Sequence, residues 1–248
     1  MSGVHQDVRF DPLLVAQRPQ LTFLIMRKAI LHLKKSDPVL RAIIEQVGPC
    51  RMEFSEPTFH SLAEAIIYQQ LNGKAAATIF KRFAALVGDP LTPEGILKIT
   101  PEQMRSAGLS KQKSSYLIDM AERAHSGELD FSRLADMSDD EVIEHLTQVK
   151  GVGVWTAHMF LMFTLQRPDV LPTGDFGIRM AMFKHYLDHK RATQTSSRKN
   201  GKPITKPRKK KIVLPKPEQM EKIARLWTPY RSIACWYLWR SLDVKTMG

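Results

Sequence analysis

Two cysteines in 248 residues, Cys50 and Cys235, set the first limits. A distant pair of thiols makes neither a disulfide framework nor the ligand set of an iron–sulfur cluster or zinc site. A reducing, cytosolic setting is the expectation. No run of about 18 apolar residues occurs, so no membrane association is expected. The opening stretch, MSGVHQDVRFDPLLVAQRP, has no long apolar segment of the kind a secretory signal carries. Strand signals are equally scarce, because no segment alternates apolar and polar residues between hairpin turns. One stretch has no acidic residue at all. Residues 190–211, KRATQTSSRKNGKPITKPRKKK, hold ten of the 37 Lys and Arg. The formal charge is +12, so the rest of the chain carries only +2. Such an excess implies a polyanionic partner. The segment itself suits either a solvated loop that binds nothing or an arm that grips phosphates.

Helical periodicity fills most of the remainder. Asp37 followed by Pro38 reads as an N-cap with proline at the first helical position. In FHSLAEAIIYQQ (59–70), Phe59, Leu62, Ala63, Ile66 and Ile67 share one face. A helix over 74–88 closes at Gly88, and one over 111–127 closes at Gly127. Thr100-Pro101-Glu102-Gln103 and Ser138-Asp139-Asp140-Glu141 are capping boxes. Further helices are expected over 176–187, 217–227 and 229–242. The fold class is all-α.

Within this pattern the stretch VKGVGVWTAHMF (149–160) stands out. Gly151 and Gly153 join two helices by a very short turn. Glycine permits positive φ and a close approach of backbone to a ligand. The helix after the turn presents unpaired N–H groups and the positive end of its dipole, enough to hold one phosphate, and Lys150 adds a charge. The same turn also serves as a plain helical hairpin. No strand precedes it, which excludes a nucleotide-binding glycine loop. Further on, LPTGDFGIR puts Asp175 directly before a helix. A carboxylate there caps the helix, and it is also placed to stabilise positive charge or activate a water.

The pairing of VKGVGVWTAHMFLMF with LPTGDFGIR resembles the helix-hairpin-helix DNA glycosylases. FHSLAEAIIYQQLNGKAAATIFKRF, AGLSKQKSSYLIDMA and WTPYRSIACWYLWR narrow the likeness to the AlkA-like branch, 3-methyladenine DNA glycosylase II. It runs from about residue 55 to 243 apart from the basic segment, and no counterpart of the N-terminal β domain of some long members is expected.

The resemblance implies two helical subdomains with a cleft between them. One is formed by 21–58 plus 178–248. The other is 59–177 and contains the hairpin 139–165. Residues 1–20 are expected to be a flexible terminus and 190–214 a disordered basic insertion. Asp175 matches the catalytic carboxylate. Lys150, Gly151, Val152 and Gly153 match the phosphate-binding hairpin, Leu71 the wedge that enters the base stack, and Asn72 its minor-groove neighbour. Trp155 and Trp239 match pocket aromatics, with Tyr68, Met159 and Trp236 as further candidates. His158 reads as a helix-surface or core histidine. Backbone carbonyls of Thr147, Val149 and Val152 match a site for a sodium or potassium ion. No cofactor is required for the chemistry.

Lyase-competent members carry a lysine two residues after the second hairpin glycine, where an amine attacks the sugar. Here that residue is Trp155, and an indole forms no Schiff base. The expected activity is excision of alkylated purines from duplex DNA by a monomer, leaving an abasic site uncut. Two rivals are a non-catalytic hairpin DNA-binding module and a glycosylase for deaminated or oxidised bases. The expected compartment is the nucleoid-associated cytoplasm in a bacterium or the nucleus in a eukaryote. Deleting 190–211 should flatten the fall of log affinity for DNA against log salt concentration, as measured by titration at several ionic strengths. An unchanged slope would remove this segment from the phosphate contacts.

Overall fold

The computed structural model describes the backbone of residues 12–188 and 212–243, with side chains from residue 24 onward. The described residues form helices and no strands. In chain order these are α1 (Pro12–Ser36), α2 (Pro38–Val47), α3 (Phe59–Tyr68), α4 (Gly73–Val87), α5 (Pro93–Leu97), α6 (Pro101–Ser106) and α7 (Lys111–Ser126). Then come α8 (Asp139–Thr147), α9 (Val154–Phe163) and α10 (Phe176–Met182), the last running into a π-helical turn over Phe183–Leu187. The chain continues with α11 (Pro217–Ala224), a 3-10 turn at Arg225–Trp227 and α12 (Arg231–Asp243). No helix among the described residues is long and apolar enough to cross a membrane. The expectations for residues 1–11 and 190–211 lie outside the described residues.

Several boundaries differ from the sequence reading. Helix α1 already begins at Pro12, inside the stretch expected to be loose, with proline at the position where its missing N–H costs nothing. Helix α3 stops at Tyr68 rather than at 70, because Gln69 leaves helical geometry with ψ 132 and Gln70 then takes φ +60. The expected helix over 176–187 changes to π geometry after Met182.

The chain divides into two compact units: Arg51–Phe176, and a unit made of both chain ends, Met1–Cys50 with Gly177–Gly248. Residues 51–58, grouped with the chain ends on sequence, go with the central unit. The Ser55 N–H donates to Phe163 O at 3.0 Å, and the Ser55 and Thr164 hydroxyls lie 3.2 Å apart.

In the central unit, Thr58 and Ser61 form a reciprocal capping box at the start of α3. Phe59, Leu62, Ala63, Ile66 and Ile67 are all buried, each of the four larger side chains stabilising the unit by about 2 kcal/mol. Helix α7 packs against α3, α5 and α6, and α8 against α9. The capping boxes at Thr100 and Ser138 form as their spacing demands.

The other unit turns on Asp37. Its carboxylate caps α2 by accepting from Val39 N–H and Leu40 N–H at 2.8 and 3.1 Å. Its second oxygen accepts from the Tyr186 hydroxyl and Trp227 Nε1–H, both at 2.8 Å. Burial, then the nearby Asp37 charge, holds the Tyr186 phenol well above the ordinary tyrosine range. Replacing Asp37 with alanine leaves four donors without their acceptor. Asp37→Ala should therefore lower the unfolding free energy by about 3 kcal/mol or more, read from urea denaturation. An unshifted midpoint would contradict the hub role.

Candidate functional site

The hairpin turn between α8 and α9 is held by contacts at Val149, Lys150, Gly151 and Val152. Gly151 takes φ +81, and a Cβ built there would lie 2.1 Å from Cδ2 of the Tyr116 ring. Only glycine satisfies both the backbone and the space. Gly153 is different: its φ of −98 is ordinary extended backbone, and nothing lies within 4 Å of an added Cβ. Positive φ is thus needed at one of the two glycines, not both. Gly153 is the N-cap of α9 and gives it no side-chain hydrogen bond. A bare cap leaves the first N–H groups of α9 open to an outside acceptor.

Helix α7 supplies the anchors. Asp119 accepts from the Lys150 N–H at 2.9 Å and pairs with the Lys150 ammonium at 3.1 Å and the Arg123 Nε at 3.2 Å. Burial works against its charge, but the two hydrogen bonds from Lys150 and the one from Arg123 outweigh burial and hold the carboxylate below its usual range. The Lys150 side chain is 64% exposed, but Asp119 has already partnered its charge. From α3's end, the Gln69 amide donates to Gly151 O at 3.1 Å and Thr156 Oγ1 at 3.2 Å. Val152 N–H donates to Val149 O at 3.0 Å and closes the turn.

Beside the hairpin lies a cavity of about 610 Å³, lined by Ala65, Tyr68, Leu71, Trp155, Thr156 and Met159 among others. Of the residues singled out on sequence, Tyr68, Leu71, Gly151, Trp155 and Met159 meet here. Leu71 is 38% exposed, as its polar neighbours suggest. Asn72 is exposed, and its side chain caps α4 by accepting from Ala75 N–H at 2.9 Å. Trp155 is half exposed, and its Nε1–H donates to Asp175 Oδ2 at 2.7 Å. Asp175 itself is 8% exposed, and its N–H donates to Pro172 O at 2.9 Å. The indole bond fixes one oxygen of the Asp175 side chain.

Trp236 and Trp239 lie on α12 in the other unit. Trp236 is buried, edge-on to Tyr237 with ring centres 5.0 Å apart, and Arg240 lies over its ring. His158 is half-buried, and desolvation lowers its pKa. It does not line the cavity, in keeping with a packing role. The sequence reading missed Gln69, Lys113, Tyr116 and Asp119. The only available signal was the 113–116–119 spacing, which also fits a solvated helix face.

The two glycines differ in what a methyl group would do. Gly151→Ala meets both the Tyr116 ring and an unfavourable φ, so it should cost about 2–4 kcal/mol. At Gly153, the small loss of capping preference is offset by reduced freedom of the unfolded chain, so Gly153→Ala should stay within about 0.5 kcal/mol. Thermal melts of the two variants measure the contrast, and equal losses would refute it.

A family model for HhH-GPD superfamily base excision DNA repair proteins matches residues 39–207. DNA-3-methyladenine glycosylase 1 of Schizosaccharomyces pombe is 35% identical over 223 residues, 87% of this chain and 87% of that protein. The DNA-3-methyladenine glycosylase of Saccharomyces cerevisiae is 33% identical over 204 residues, 77% of this chain and 69% of the yeast protein. Among solved structures, the S. pombe 3-methyladenine DNA glycosylase in complex with abasic DNA is similar with a TM-score of 0.68 at 33% identity. It covers 88% of this chain and 97% of its own. A DNA-3-methyladenine glycosidase from Bacillus halodurans gives 0.67, also at 33% identity, over 86% of this chain and 87% of its own. With the family model covering more than half of the sequence, this chain belongs to the HhH-GPD superfamily of base excision DNA repair proteins.

Proposed function

We propose that the protein is a monofunctional DNA glycosylase that flips alkylated purines out of duplex DNA and hydrolyses their N-glycosidic bond. The observation that carries this reading is the Trp155–Asp175 pair. A buried carboxylate is held at 2.7 Å by an indole that also lines a 610 Å³ cavity. Relatives named 3-methyladenine glycosylases, 35% and 33% identical, support the same reading.

The chemistry follows from these groups. The hairpin N–H groups at the bare cap of α9 take a DNA phosphate. Leu71 enters the stack and the damaged nucleotide turns out, at a cost of a few kcal/mol that is smaller for a poorly paired base. A 3-methyladenine-type base carries positive charge and stacks on the Trp155 and Tyr68 rings. As the bond from the base nitrogen to the sugar C1′ breaks, its electron pair leaves with the base, which becomes neutral. Positive charge develops on the sugar. The Asp175 carboxylate stabilises that charge, and water adds to C1′ and passes a proton to Asp175, which returns it to solvent. The product is an abasic site on an unbroken strand, since Trp155 offers no amine.

A monovalent cation also fits the turn. Thr147 closes α8, where helix carbonyls lack partners, and Val149 O keeps a second lone pair beyond its bond to Val152 N–H. No cluster of three or more His, Cys, Asp or Glu occurs among the described residues. Neutral carbonyls of Thr147, Val149 and Val152 would hold sodium or potassium, and the ion would add positive charge where the hairpin takes a phosphate. The protein would act as a monomer, in the nucleoid of a bacterium or the nucleus of a eukaryote.

Methylated genomic DNA incubated with the protein should yield free alkylpurines on chromatography, without strand breaks. Asp175→Asn should lower release at least about 100-fold while duplex binding stays within a few-fold. Undiminished release by that variant would falsify the assignment of Asp175.

A further inference from the structure

The chain segment that carries Leu71 is held from α7. Helix α3 closes at Tyr68 with Gln69 as its cap. The last carbonyls of a helix lack intrahelical partners and carry the negative end of its dipole. Two carbonyls at this end, those of Ile67 and Gln69, accept hydrogen bonds from Lys113 Nζ at 2.6 and 2.7 Å. Both partners are neutral carbonyls rather than carboxylates. Partial burial pulls the pKa of this ammonium below the ordinary lysine value.

The turn after Gln69 depends on that grip. Gln70 stands at φ +60, a conformation that L residues adopt only when their surroundings enforce it. The turn brings Leu71 out to 38% exposure. Gln69 is held at two places. Lys113 holds its carbonyl, and its own side-chain amide donates to Gly151 O and Thr156 Oγ1. Lys113 also lines a second hollow, of about 330 Å³, shared with Leu71, Tyr116 and Gly151. One face of α7 thus carries Lys113 under the leucine's loop, Tyr116 under Gly151 and Asp119 on Lys150.

We propose that Lys113 is a positioning residue for Leu71: through Gln69, its ammonium sets the leucine at a fixed place relative to the hairpin. It acts on main-chain carbonyls rather than on the substrate. A phosphate seated at the hairpin and the leucine entering the stack are then registered by a single helix. Methionine keeps the stem but offers no donor, leaving two carbonyls unmet and the strained Gln70 unsupported. Arginine can reach the same oxygens with a different geometry and replaces lysine only in part. This role rests on the reading of Leu71 as a wedge in a glycosylase.

The test uses a duplex with one alkylpurine beside a 2-aminopurine, the lesion being either paired or placed in a bulge that needs no wedge. The fluorescence rise on binding reports unstacking without any chemistry, and single-turnover base release reports the reaction. Lys113→Met should lower both the fluorescence rise and the release rate on the paired lesion, the latter by about tenfold. It should leave the bulged lesion within about twofold of wild type, and Lys113→Arg should recover part of the loss. Adding Lys113→Met to Leu71→Ala should cost little more than Leu71→Ala alone, since both act through one device. Equal loss on paired and bulged lesions, an unchanged fluorescence rise, or independent effects with Leu71→Ala would each overturn the proposal. Lys113→Gln carries the same test if the methionine variant does not fold. If wild type unstacks the duplex yet releases no base, the glycosylase reading fails while Lys113 is still tested by fluorescence.

Discussion

The contact between the Gly151 backbone and the face of Tyr116 is the constraint on which the site depends. A peptide lying this close to an aromatic ring has no room for a side chain, and the positive φ that puts it there selects glycine a second time. Once Gly151 is seated, its carbonyl meets the Gln69 amide, and the N–H of the preceding Lys150 meets Asp119. The start of α9 then comes at Gly153, with its first N–H groups uncapped by any side chain. Trp155 lies two residues on, where its indole reaches Asp175. Few of these contacts are strong singly. Their order along a short stretch makes them cooperative, because each one fixes the backbone that the next requires.

Charge is handled with the same economy. Lys150 invites reading as the residue that attracts a phosphate, yet Asp119 takes both its N–H and its ammonium. The turn therefore offers an anion backbone dipoles rather than a free cation. Asp119 is held ionised by the groups it organises, so the anchor and the turn stabilise one another. The basic excess of the chain lies far away in sequence, in 190–211.

Much of this was legible in the sequence wherever the signal was local. Capping boxes at Thr100 and Ser138, the cap at Asp37, the apolar face of α3 and the hairpin all depend on residues within a few positions of one another. The exposed setting of Leu71 was also readable, from Gln70 and Asn72 beside it. The rest depended on pairs distant in sequence. Asp37 meets Tyr186 and Trp227, Gln69 meets Gly151, and Lys113 meets the end of α3. Periodicity does not reveal which polar residue on a helix face has a partner and which is merely solvated. Trp155 shows the same limit, since its place in the motif spoke to reaction type but not to its bond with Asp175. The two readings of glycine, positive φ or open approach, could not be told apart on sequence: Gly151 takes the positive φ, and Gly153 has open space.

The Asp37 hub has a consequence for how the chain is made. Its two aromatic partners lie 149 and 190 residues further along the chain. On a ribosome, the central unit from Arg51 to Phe176 has its own core and can close as soon as it emerges. The first helices cannot, because the acceptor that ties them waits for an indole and a phenol still to be synthesised. Contacts of such separation slow folding. Helices α1 and α2 thus precede the central unit in synthesis and are locked after it.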